Sequence, residues 1–134
     1  MSEIAVGDEG FARFVVGPDD TARAVGSGAL DVLGTPRLLA WCESATCIAV
    51  ADALPAGSTS VGTRIRLDHV AASPVGAAVD VVATVSAVEG RTVTFDVEAR
   101  DAADGRVVGA GTVTRAVVDI ETFLARVVPA PPSP

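Results

Sequence analysis

Three polar side chains stand out in a chain built mainly from Ala, Val, Leu and Ile: Thr35, Glu43 and His69. Glu43 lies within Thr35 to Leu54, a stretch that otherwise reads as a single buried helix. An acid midway along such a helix must find a partner or shift its pKa. His69 is the only histidine, and strand periodicity puts it on an apolar face. A carboxylate and an imidazole on facing elements are suited to moving protons near neutral pH. Each also has a plainer reading. Glu43 can belong to a solvated polar stripe, and a lone inward histidine can be a core residue satisfied by a backbone group.

The elements that must position these groups follow from the pattern. Thr35 reads as the N-cap of the central helix. Pro36 then takes the first helical position, where its missing N–H costs little. Leu38, Leu39, Trp41, Cys42, Ala45, Ile48, Ala49 and Val50 cover most of the circumference. Such a helix is enclosed by other structure. Its polar stripe is narrow: Arg37, Ala40, Glu43, Ser44, Cys47 and Ala51. Upstream, residues 10–16 alternate as a first strand, and 21–34 form a connection with a short helical piece near Ala29 to Leu33. Downstream, 59–72 read as a strand with Thr63, Ile65, Leu67 and His69 on one face. Three more strands, 77–88, 91–101 and 106–118, are separated by turns at Glu89-Gly90 and Ala103-Asp104-Gly105. Val93, Phe95, Val97 and Ala99 share one face, as expected of an antiparallel meander with one side covered. Residues 119–128 read as a short helix whose Ile120, Phe123, Leu124 and Val127 suit docking on the sheet. The Pro-rich tail, 129–134, is expected to be disordered.

Composition narrows the function classes. At 134 residues the length fits one domain, here 1–128, with a core large enough to need no disulfide or metal. The formal net charge is -7, and the ten basic residues are all Arg and scattered, which argues against nucleic-acid binding. No apolar run approaches a membrane span, and the acidic N-terminus lacks a signal-peptide core. Cys42 and Cys47 lie roughly 140° apart on the predicted helix. They should stay reduced in a cytoplasmic protein. Two Cys and one His in this arrangement make no zinc site. With no P-loop, Rossmann glycine pattern or G-x-S-x-G, no cofactor or metal is expected.

An α+β order of strand, long helix and four antiparallel strands implies a curved sheet wrapped around one apolar helix. This looks like a hotdog fold. Thr35 lies eight residues before Glu43, and His69 twenty-six after it. That pattern resembles the fluoroacetyl-coenzyme A thioesterase family of hotdog proteins. Val61 to Val70, V-G-T-R-I-R-L-D-H-V, is similar to the family's strand leading to its histidine. Gly109 to Val118, G-A-G-T-V-T-R-A-V-V, is similar to its last strand. The likeness spans residues 10–128.

The resemblance implies an acyl-CoA thioesterase with Thr35, Glu43 and His69 in the active site. Glu43 would attack the carbonyl or act as a base on water. His69 would activate water or protonate the leaving thiolate, and Thr35 would orient Glu43 or the substrate. Backbone N–H groups at the helix start, with Gly62, would receive the oxyanion. Gly62 matches a family glycine beside the site; on its own pattern it reads equally as a strand bulge. Arg115 matches a family arginine that would meet a pantetheine or phosphate oxygen; on its own pattern it reads as a strand-surface residue. A homodimer joined edge to edge is also implied, since an open edge strand needs cover. One departure concerns the acyl group. The family's namesake carries lid aromatics before the central helix, whereas residues 15–34 here hold no Phe, Trp or Tyr and are shortened. The expected substrate is therefore a small acyl-CoA of open acyl identity. A hotdog hydratase lacks its usual His/Asp pattern here. The non-enzymatic alternative is a module that binds an acyl thioester or a hydrophobic ligand.

Overall fold

The structure, a computed structural model, describes residues 3–127, 129 and 131–133. Strand β1 (Glu9–Val15) leads through α1 (Ala22–Val25) to the long helix α2 (Thr35–Val50). Strands β2 (Ser58–His69), β3 (Ala78–Glu89), β4 (Thr92–Asp101) and β5 (Val107–Asp119) follow, then α3 (Ile120–Ala125). One antiparallel sheet has the order β1-β3-β4-β5-β2, so β3, β4 and β5 are the meander and β1 and β2 its edges.

Period-two alternation selects the inner face. Val79, Val81, Ala83 and Val85 of β3 and Val93, Phe95, Val97 and Ala99 of β4 are buried. They face Leu38, Trp41, Cys42 and Ala45 of α2 in one core. Fully burying each Val, Leu or Phe stabilises the fold by about 1.5–3 kcal/mol. Phe14 of β1 stacks on Trp41 with ring centroids 4.7 Å apart. Gly10 brings β1 close to α2, because a Cβ there would overlap the backbone at Ala45 and Ala49. The result is a curved sheet wrapped around one helix.

Four expectations change in detail. First, α2 gives way to a 3-10 turn at Ala51–Ala53, and Leu54, ahead of Pro55, is extended. A residue before proline is pushed out of the helical region. Second, the short helix before α2 is at Ala22–Val25, not Ala29 to Leu33. Thr21 caps it by accepting from the Ala24 N–H, and Gly26 at φ 78° ends it. Third, β2 carries a bulge between Gly62 and Arg64, so Thr63 is exposed instead of sharing a face with Ile65 and Leu67. Fourth, α3 is too short to lay its apolar stripe on the sheet; Ile120, Phe123, Leu124 and Val127 remain exposed. Val128, Ala130 and Pro134 lie outside the described residues, so the expected helix end and disordered tail fall partly beyond them. Among the described residues no helix is long and apolar enough to cross a membrane.

Candidate active site

The start of α2 is clamped in place by backbone bonds from both sides. The Gly34 N–H donates to Asp20 O at 2.9 Å, and the Leu33 N–H donates to Ser73 O at 2.8 Å. Ser73 follows shortly after β2, so this second bond ties the helix start to the end of that strand. Gly34, not Thr35, is the N-cap, and Pro36 takes the second helical position. Thr35 is the first helical residue, and its hydroxyl is free of capping. It is hydrogen-bonded to His69 Nδ1 at 2.8 Å.

That contact leaves the other ring nitrogen for chemistry. His69 Nε2 is buried and has no hydrogen-bond partner among the described residues. Burial also lowers the imidazole pKa below its usual value, because the charged form loses solvation, and the nearby Ala71 backbone offsets only part of that. A neutral histidine oriented through Nδ1 can offer Nε2 to a proton or to a substrate group. Thr35 and His69 line a cleft of about 280 Å³ between the α1 connection and the chain leaving β2.

Glu43 belongs to a second cluster. Arg115 on β5 is 7% exposed, so its charge must be paired. Its Nη1 donates to Glu43 Oε2 at 3.0 Å, its Nε to Ser60 Oγ at 2.8 Å, and its Nη2 to Ser60 O at 2.9 Å. Glu43 Oε1 takes part in none of these bonds. Gly62 pairs with Arg115 across the strands, and a Cβ on Gly62 would overlap Glu43 Oε2. Gly62 therefore both borders the bulge and leaves room for the carboxylate. Arg115 is not a strand-surface residue; all three of its nitrogens are engaged inside the protein.

Within one chain the two clusters remain apart. Thr35 and Glu43 are eight residues apart on α2, about 12 Å along the helix axis at ~1.5 Å per residue. No hydrogen bond joins Glu43 to Thr35 or His69 among the described residues. Within one chain Gly62 lies beside Glu43, about two turns along α2 from the amides at the start of the helix. Ser60, which anchors Arg115, is absent from the residues singled out by spacing. The sequence did carry a signal for Arg115: it alternates inward with Val113 and Val117 on β5. Among the described residues, no group of His, Cys, Asp and Glu is placed to hold a metal ion.

Comparisons with known proteins bear on the family and the fold. Residues 16–121 match the family described as fluoroacetyl-CoA-specific thioesterase. A fluoroacetyl-CoA thioesterase from Streptantibioticus cattleyicolor is 36% identical over 128 residues, covering 91% of each chain. A solved structure of the fluoroacetyl-CoA thioesterase FlK superposes with a TM-score of 0.87 at 34% identity, covering 93% of this chain and 96% of that one. A Thermus thermophilus hypothetical protein, described as a thioesterase superfamily member, gives a TM-score of 0.86 at 26% identity, covering 93% and 91%. The fold is the hotdog fold that these thioesterases share.

Proposed function

The chain belongs to the fluoroacetyl-CoA-specific thioesterase family, and from that premise we propose that Thr35, Glu43 and His69 carry out the hydrolysis of a small acyl-CoA thioester. The protein is a thioester hydrolase. The observation that carries the assignment of residues is the 2.8 Å contact between Thr35 Oγ1 and His69 Nδ1, which orients a neutral imidazole at a cleft. In this reading His69 Nε2 handles the proton, activating water or returning it to the departing thiolate. Glu43, anchored through Oε2, uses Oε1 to attack the carbonyl or to accept a proton from water. Amide N–H groups at the start of α2 take the oxyanion, since a helix N-terminus favours negative charge. Arg115 works through Glu43 and not on the CoA phosphates.

The 12 Å separation is the reason to expect a homodimer, with Glu43 serving the partner's Thr35 and His69. β2 is an edge strand whose outer backbone groups are unpaired within the chain. Two-fold pairing of two β2 edges runs them antiparallel and sets the Gly62 end of one beside the His69 end of the other. Ile48, half exposed on the open side of α2, would be covered in the same step. Free Cys42 and Cys47 suit a reducing cytoplasm.

The test is release of free thiol from acyl-CoA esters. The wild-type protein should turn over. Folded Glu43→Gln and His69→Ala should each lose roughly two orders of magnitude or more, the usual worth of positioned acid–base groups. A protein that binds and protects the thioester without releasing thiol would instead be a binding module.

A further inference from the structure

The wall of the Thr35–His69 cleft carries information on the acyl group. Its lining, apart from those two residues, is made mainly of Ala22, Ser27, Val32, Val70, Ala71 and Ala72. None is aromatic, and most are small and apolar. The aromatic residues are used elsewhere. Phe95 is in the core, Phe14 and Trp41 are stacked on each other, and Phe11 and Phe123 lie outside the cleft lining. Within a single chain Val70 is 64% exposed at the rim, an apolar surface beside the Thr35–His69 pair. The floor is fixed by backbone, through the Val32–Pro74 bridge and the Leu33–Ser73 bond.

Size sets the rest of the argument. The cleft measures about 280 Å³. A water needs about 10–15 Å³ of such space, so the cleft, open on one side, has room for several carbon-sized groups. A two-carbon acyl group would place one methyl there and leave most of the lining, polar and apolar in similar measure, wet. We infer that the cleft beside Thr35 and His69 is an acyl pocket for chains longer than acetyl, and that Ser27 and Ala72 at its rim set the upper length. This deepens the hydrolase reading above and rests on it. Each further methylene moved from water into the cleft is worth up to about fourfold in kcat/KM, the equivalent of ~0.8 kcal/mol. Hydrolysis follows ordinary acyl transfer: the thioester C–S bond breaks, a C–O bond to water's oxygen forms, and the proton passes to the thiolate.

The experiment is a chain-length series of acetyl-, butyryl- and hexanoyl-CoA, with thiol release measured on the full chain. kcat/KM should rise by about tenfold or more from acetyl to the better of the two longer esters. Ser27 and Ala72 are exposed residues outside the core, so Ser27→Phe and Ala72→Phe place a ring at the rim without displacing core side chains. Each should lower the hexanoyl-to-acetyl ratio by about tenfold, as filling a pocket does for a substrate that no longer fits. A series that peaks at acetyl, or rim variants that keep the wild-type ratio, would overturn this inference and leave the hydrolase reading standing. No thiol release from any ester would overturn the hydrolase reading itself, and this one with it.

Discussion

Replacing Gly62 by alanine adds one methyl group at the point where β2 meets Glu43. A Cβ there would overlap Glu43 Oε2 and come within 3.5 Å of Arg115 Nη1. The backbone at Gly62 has no positive φ, so alanine is tolerated by the main chain. The side chain of Glu43 must therefore move, by something on the order of 1 Å, and the 3.0 Å ion pair to Arg115 loosens. A misplacement of about that size at a catalytic group costs roughly 100-fold in rate. Stability responds much less. Glycine-to-alanine at a compatible position gains about 0.4–1 kcal/mol by restricting the unfolded chain. Removing a partner from a buried ion pair costs about 3–5 kcal/mol, but here the carboxylate is only displaced, and it is about one-third exposed, so water screens the loss. The two effects largely offset, leaving a change of about 1 kcal/mol or less and a Tm shift of a few degrees. The assay pairs thiol release with thermal denaturation. Gly62→Ala with kcat/KM within threefold of wild type would refute the reasoning, because Glu43 would then not depend on the space that the glycine leaves.

Two further predictions concern ionisable groups. His69 titrates below the ordinary 6.5 because burial disfavours its charged form, so turnover should persist below pH 6.5 and fall as pH drops through the lower folded value. Its contribution to stability is present above 6.5 and is lost as pH falls through the same window, since the unfolded chain takes up the proton first; a pH–rate midpoint above 6.5 would contradict this. Cys42 is buried with its pKa pushed up to about 11 by desolvation, while Cys47 is exposed. A thiol reagent at neutral pH should label Cys47 in the folded chain and reach Cys42 only on unfolding; equal labelling rates would show that the helix is not packed as described.

Much of this was legible because hydrophobic periodicity is a strong signal. The alternation of Val93, Phe95, Val97 and Ala99 set the inner face of β4, and the apolar run after Pro36 set α2. Thr35 was read as a cap because a threonine before a proline fits one. The backbone clamp at Gly34 moved the cap back by one residue and released the hydroxyl toward His69. The β2 bulge was the hidden element. Strict alternation put Ser60 and Gly62 on the same face as Arg64 and Arg66, whereas the extra residue at Thr63 turns Ser60 and Gly62 toward Arg115 and Glu43. A bulge has no dependable local signature, so the part of Ser60 and Gly62 in the Arg115–Glu43 network followed only from the fold. The α3 stripe misled for a different reason. Its spacing is amphipathic, but six residues give it too little length to reach the sheet.

The central claim is that Glu43 and the Thr35–His69 pair act on one thioester, with the carboxylate supplied by one protomer and the pair by its partner. Glu43→Gln and His69→Ala, each inactive alone, should be unfolded together, refolded as a mixture and assayed for thiol release. Random pairing makes half of the dimers mixed, and each mixed dimer keeps one intact site, so about a quarter of native activity should return. A mixture as inactive as either variant would show that each site lies within a single chain, and substantial activity in either variant alone would remove that residue from the mechanism.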